Sequence, residues 1–205
     1  MRTKYKQWAV DYLDEHPEHV INNINEMDEF LSSIKIAFEI GSGKGDFILQ
    51  MAKNNPDVNY LAIERVKTVA GMMLKKLVEE EINNVKVFPN DANILFDELK
   101  DNSIDTIYLN FVDPWPKKRH EKRRLTYLKC LNQYYRILKK DGLIAFKSDN
   151  DGLFEYSVEQ FEQTPFKAIE IEEDYVFDEK DDAMSEYETK FRNLGQKIHR
   201  IVMRK

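Results

Sequence analysis

The chain reads as an α/β protein, a doubly wound and mostly parallel sheet of seven strands that ends in an antiparallel C-terminal pair. Three observations predict this. Short apolar runs alternate with amphipathic stretches over most of the 205 residues, the rhythm of strands joined by crossover helices. A glycine turn, Gly41-Ser42-Gly43-Lys44-Gly45, separates the first apolar run from the first of these helices. Beyond residue 165 the rhythm changes, and two strand-like runs follow with no full helix between them.

The elements follow in order. Ile36 to Ile40 is a buried strand, and a helix from about Asp46 to Asn54 stops at Asn55-Pro56. Asn59 to Glu64 is the second strand, with a helix from Val66 to Glu80 behind it. Val85 to Phe88 is the third strand, after which Asn90-Asp91-Ala92 opens a short helix. Ile104 to Asn110 is the fourth, ending at Asp113-Pro114-Trp115-Pro116. A helix through Leu125 to Leu138 leads to a Lys140-Asp141-Gly142 turn and a fifth strand, Leu143 to Ser148. A helix from Leu153 to Gln163 precedes the last two strands, Phe166 to Tyr175 and Lys197 to Met203. With no repeat, linker or low-complexity tract, residues 1–205 read as one domain. Residues 1–30 are expected to form a flexible, polar, partly helical N-terminal arm.

Composition narrows the function classes. Hydrophobic residues make up 42% and aromatic residues 12% of the chain, enough for a folded core. No run of about 18 apolar residues encodes a membrane span, and Met1 to Trp8 lacks a signal-peptide core. One cysteine, Cys130, excludes an internal disulfide and fits a cytoplasmic location; its helical neighbours make it core filler. The four histidines and this cysteine show no metal-ligand spacing, so no metal is expected. The net charge of -6 argues against a nucleic-acid partner, but its distribution argues for one. Residues 117 to 124 carry +5, leaving -11 for the remainder, much of it between Glu170 and Glu188.

Glycines at a strand-to-helix turn let backbone approach a ligand closely, the device of Rossmann-like nucleotide sites. Here Asp46 stands where the dinucleotide pattern G-x-G-x-x-G expects its last glycine, and Glu39 precedes Gly41. Both carboxylates would repel a pyrophosphate and attract the sulfonium and ammonium of S-adenosyl-L-methionine. Glu64, ending the second strand, is placed to accept hydrogen bonds from two ribose hydroxyls. Asp91 either meets an adenine amino group or caps the helix that begins at Ala92. An NAD(P)-dependent oxidoreductase is the competing reading of this turn.

The most specific stretch is Asn110-Phe111-Val112-Asp113-Pro114-Trp115-Pro116-Lys117-Lys118-Arg119-His120-Glu121-Lys122-Arg123-Arg124. It follows the fourth strand, at the sheet edge where ligands bind. Two prolines stiffen the backbone that carries Asp113, and the basic run lies within reach of a phosphate backbone. A solvated helix face is the plain alternative for that run, as a core-capping indole is for Trp115. Likewise, Ser148-Asp149-Asn150-Asp151 serves a substrate or merely caps the next helix.

With these residues in view, the sequence resembles the bacterial tRNA (guanine-N(7)-)-methyltransferase family over nearly its whole length. The likeness runs from Glu39-Ile40-Gly41-Ser42-Gly43-Lys44-Gly45 through Asp113-Pro114-Trp115-Pro116-Lys117-Lys118-Arg119-His120 to Ser148-Asp149-Asn150 and Thr189-Lys190-Phe191-Arg192. It implies methyl transfer from S-adenosyl-L-methionine to guanine N7 in the variable loop of tRNA, by a monomer or homodimer. By the same resemblance Glu39, Gly41, Gly43, Glu64, Asp91 and Asp113 would line the cofactor site, and Asp113 would be catalytic. Lys117, Asp149, Thr189, Lys190, Phe191 and Arg192 would contact the guanosine. Arg119, His120, Glu121, Lys122, Arg123 and Arg124 would bind tRNA. One departure stands out: Arg192 occupies a position where the family commonly has Glu, with Glu188 as the carboxylate nearby. A methyltransferase of the same fold acting on another nucleic acid or on protein, and an RNA-binding protein without catalysis, remain the other readings.

Overall fold

The computed structural model describes residues 4–22, 24–32 and 35–205. Seven strands form one sheet in the order β3-β2-β1-β4-β5-β7-β6. The strands are β1 (Ile36–Ile40), β2 (Asn59–Ile63), β3 (Val85–Phe88), β4 (Ile104–Asn110), β5 (Leu138–Ser148), β6 (Lys167–Glu172) and β7 (His199–Arg204). Neighbours from β3 to β5 pair in parallel, and β7 runs antiparallel to both β5 and β6. The α-helices are α1 (Gln7–Glu15), α2 (Met27–Leu31), α3 (Asp46–Asn54), α4 (Lys67–Glu79), α5 (Ala92–Phe96), α6 (Leu128–Ile137), α7 (Asp151–Glu162) and α8 (Glu186–Asn193).

All five residues of β1 are buried, as expected of a central parallel strand covered on both faces. Its side chains divide by the period of two. Phe38 and Ile40 join Leu61, Leu109, Phe146, Tyr134 and Phe161 on one face, beneath α5, α6 and α7. Ala37 joins Tyr60, Val87, Phe47, Met73 and Leu77 on the other, beneath α1, α3 and α4. Glu39 shares the second face, so a carboxyl group enters the sheet interior beside α3. Burying Phe38, which is fully closed to water, contributes about 1.5–3 kcal/mol.

Turn chemistry sets the helix starts. Gly45 caps α3 at φ 81°; a Cβ there would stand 2.5 Å from Met73 Cγ on α4, so only glycine allows this close packing. Asn150 caps α7 by accepting from Leu153 N at 2.8 Å, and Ser185 caps α8 by accepting from Glu188 N at 3.1 Å.

Three features differ from the sequence reading. The N-terminal arm is docked: α1 crosses α4 with Ala9 against Gly71, and Ile21 N donates to Val87 O of β3 at 2.9 Å. Its polar composition hides buried residues, among them Ala9, Leu13, Val20, Ile21, Met27 and Phe30. The expected turn at Lys140-Asp141-Gly142 is a bulge within β5, with Asp141 at φ 64°. Between β6 and β7 lies the two-turn α8, where no full helix was expected. No helix among the described residues is long and apolar enough to cross a membrane.

Candidate active site and nucleic-acid interface

The sheet order reverses between β1 and β4, the place where doubly wound sheets bind ligands. The glycine turn after β1 and the Asp113 loop after β4 flank this point. Gly41 and Gly43 take φ of 81° and 55°, and Gly41 N donates to Ile63 O at 2.8 Å, tying the turn to β2.

Glu39 is 2% exposed. Asn110 Nδ2 donates to its Oε1 at 2.9 Å, while Oε2 is buried with no partner among the described residues. Burial pushes its pKa up to about 8, against the pull of Asn110, Ser42 and the nearby Lys147 ammonium. Glu64 accepts from Gly43 N at 3.1 Å and Val66 N at 2.7 Å. Burial raises its pKa, two backbone donors oppose that, and the charge of Asp113 adds to the rise.

Asp91 caps α5, accepting from Asn93 N at 2.9 Å through Oδ1, while Oδ2 faces Arg65 Nη1 at 4.0 Å. The capping reading thus holds. Asp46 does not serve the turn as the sequence suggested: it is ion-paired with Lys76 on α4. A carboxylate at the first turn of a helix finds its partner on the neighbouring helix.

The loop after β4 carries two non-glycine residues in the left-handed region, Phe111 at φ 50° and Trp115 at φ 40°. Asp113 lies between them, exposed, and its side chain makes no hydrogen bond among the described residues. Lys117 is exposed. Residues Lys118–Arg123 form a 3-10 helix that folds back on Trp115. Arg123 Cζ lies 4.9 Å from the indole centroid, and the His120 ring meets its edge at 5.6 Å. Lys118, Arg119 and Lys122 are exposed and Glu121 half-buried. Arg124 turns inward, donating to the carbonyls of Pro114 and Trp115.

Opposite this loop, α8 presents Thr189 and Lys190 to solvent and lays Phe191 5.9 Å from Phe111. Lys44 of the glycine turn pairs with Glu186 of α8 at 2.8 Å. Arg192 donates from Nε and Nη2 to Glu188 Oε1 at 3.0 and 2.8 Å. Glu188 is wholly buried and anchors the helix. Asp149, half-buried at the end of β5, makes no side-chain hydrogen bond among the described residues.

Two functional features escaped the sequence reading. Asn110 orients Glu39, and Lys147 forms the buried floor beneath α8. The Lys147 ammonium donates to Asp182 Oδ2 at 2.9 Å, Ala183 O at 2.8 Å and Glu188 Oε2 at 2.6 Å. A lysine between Phe146 and Ser148 in an otherwise apolar strand was the available signal.

A switch point lined by carboxylates, under a sheet with an inserted antiparallel strand, defines a Rossmann-like methyltransferase. Solved structures agree on the fold. An antibiotic-related methyltransferase superposes with a TM-score of 0.65 at 18% identity, covering 90% of this chain and 94% of its own. The 16S rRNA methyltransferase KamB gives 0.69 at 10% identity, over 90% and 94%. A family model described as "Putative methyltransferase" matches residues 33–201. Curated relatives named tRNA (guanine-N(7)-)-methyltransferase are 44% identical in Streptococcus pneumoniae strain CGSP14, over 98% of both chains. The relative in Exiguobacterium sp. is 45% identical over 98% of this chain and 96% of its own. The chain belongs to the tRNA (guanine-N(7)-)-methyltransferase family.

Proposed function

We propose that this chain transfers a methyl group from S-adenosyl-L-methionine to N7 of a guanine in tRNA. The observation that carries the reading is Glu39, a buried carboxyl beside a glycine turn with one oxygen lacking a partner among the described residues. That oxygen suits an ammonium. A pyrophosphate would meet Glu39, Glu64, Asp91 and Asp113, and no such site tolerates a dianion. The names carried by the relatives support tRNA and guanine N7.

When bound, S-adenosyl-L-methionine supplies an electrophilic methyl group on sulfur. Glu39 would hold the ammonium of its amino-acid part, Glu64 the ribose hydroxyls and Asp91 the adenine amino group, with Gly41 and Gly43 allowing close approach. Guanine N7 has a free lone pair, so no proton must leave before attack, and the residues' work is alignment and charge stabilisation. Methylation makes the purine cationic and its N1–H more acidic. Asp113 and Asp149, accepting from the N1/N2 edge, then bind more strongly as the reaction proceeds, which is what acceleration requires. Lys117 meets a phosphate, Thr189 to Arg192 border the guanosine with Phe191 against its plane, and the exposed cations of residues 118–123 track the RNA backbone. The enzyme acts in the cytoplasm as a single domain over residues 1–205, monomeric or homodimeric, without a metal.

Mass-spectrometric mapping of unmodified tRNA after incubation with the protein and S-adenosyl-L-methionine tests this. N7-methylguanosine at one tRNA position is expected; methyl groups found only on ribosomal RNA or protein, or none at all, would overturn it.

A further inference from the structure

We propose that Arg124 is a positioning residue that latches the Asp113 loop to α7, rather than one of the cations that hold the tRNA backbone. The proposal rests on the reading of Asp113 given above. Arg124 Nε lies 3.1 Å from Pro114 O and 3.4 Å from Trp115 O, and Nη2 lies 3.2 Å from Trp115 O. The other face of the guanidinium stacks on Tyr156 of α7, with Cζ 4.0 Å from the ring centroid. Its Nε–H and an Nη2–H thus go to the two carbonyls that directly follow Asp113.

The loop needs such a tie. Left-handed φ at Phe111 and Trp115 is strained for a residue with a side chain and persists only where the surroundings enforce it. Phe111 is held by its N donating to Lys147 O at 2.9 Å, and Trp115 by Arg124. The latch has two further stitches to the same helix. Ser157 Oγ donates to Thr126 Oγ1 at 2.8 Å, and Leu128 N donates to Gln160 Oε1 at 3.0 Å. Asn150, immediately after Asp149, caps that helix. One rigid element thus registers both carboxylates assigned to the purine edge, and Arg124 is its link to the Asp113 side. A lysine has one compact ammonium and no planar fork, so it cannot serve both carbonyls while stacking on Tyr156. Lys118, Arg119 and Lys122, by contrast, are exposed and make no ion pair among the described residues.

The test compares Arg124→Lys and Tyr156→Leu with Arg119→Ala and Lys122→Ala in the full-length protein on a tRNA transcript. It measures kcat, KM for tRNA and the salt dependence of tRNA binding. Arg124→Lys keeps the charge and Tyr156→Leu keeps the whole basic run, so a loss in either cannot come from weaker attraction to RNA. Both should lower kcat, Arg124→Lys by about 10- to 100-fold, with KM for tRNA and the salt slope as in the parent. Arg119→Ala and Lys122→Ala should raise KM and each reduce the salt slope by about 1 while sparing kcat. Parental kcat in both Arg124→Lys and Tyr156→Leu overturns the proposal. So does an Arg124→Ala variant that loses a unit of salt slope and regains full kcat at low salt. Asp113→Asn alone, if it turns over normally, sinks the Asp113 assignment instead. Combined with Arg124→Lys, it should show no further loss beyond its own, since the two act on one geometry.

Discussion

The ammonium of Lys147 lies 2.6 Å from the carboxylate of Glu188, and both side chains are closed to water, 3% and 0% exposed. With Asp182 at 2.9 Å, this cluster fastens α8 to the end of β5. A buried cation between two carboxylates is costly to assemble and more costly to break, because the survivors keep their charge in a dry site. Lys147→Met is therefore expected to destabilise the protein by about 3–5 kcal/mol, lowering Tm by roughly 6–20 °C for a chain of this size. Scanning calorimetry reads this directly; a shift under about 2 °C would mean that the cluster opens to solvent.

Arg192 is the outer member of the same cluster. Arg192→Glu would remove two donors from Glu188 and set a like charge one helical turn away. Residues 186–193 should lose amide protection, with KM for tRNA rising and KM for the methyl donor held. Hydrogen exchange followed by mass spectrometry checks the first part, and unchanged protection in α8 would refute it.

Glu39 couples the site to pH. Its pKa in the folded chain is about 8, against an ordinary 4.5. Between these values the folded state binds more protons than the unfolded one, so this group's contribution to stability falls as pH rises through that window. An ammonium against the orphan oxygen reverses the preference and drives the proton off. Binding of S-adenosylhomocysteine near pH 7 should thus release about one proton, visible as a binding enthalpy that depends on the buffer's ionisation heat. Glu39→Gln should abolish the dependence; an equal release from that variant would locate the proton elsewhere.

Gly71 is expected to be intolerant for a reason remote from chemistry. A Cβ there would sit 1.6 Å from Ala9 O, inside the van der Waals contact between α1 and α4. Gly71→Ala should lift α1 away and expose residues 7–15 to proteolysis, leaving methyl transfer per folded molecule within about twofold. Cleavage of the arm no faster than in the parent would contradict this.

The parallel core was readable because β1, β2, β3 and β4 are short, mostly apolar runs between glycine, proline and asparagine signals, and the edge they share carries the glycine turn and the Asp113 loop. What escaped reading docks by charge. Glu186-Tyr187-Glu188-Thr189-Lys190-Phe191-Arg192 has too few apolar residues for a helical period, yet it packs through Glu188 onto Lys147, whose partner lies 41 positions away. A one-dimensional pattern registers hydrophobic spacing; it does not register which distant ammonium awaits a carboxylate. The basic run shows the same limit. The six cations among residues 117–124 look alike in sequence, but Arg123, with His120, covers an indole and Arg124 turns to backbone carbonyls. Only the folded loop separates cations that face solvent from cations that hold the loop.

The placement of β7 has a consequence for the order of synthesis. A ribosome delivers β6 before β7, yet β7 lies between β5 and β6. As β6 emerges it has no neighbour in the sheet, and the flank of β5 beside Lys147 stays bare until the last strand arrives. The parallel half and its glycine turn can be assembled earlier, so a nascent chain would acquire a place for the methyl donor before the seat of α8 is complete. The flank of β5 that meets β7 is thus paired later than the flank that meets β4.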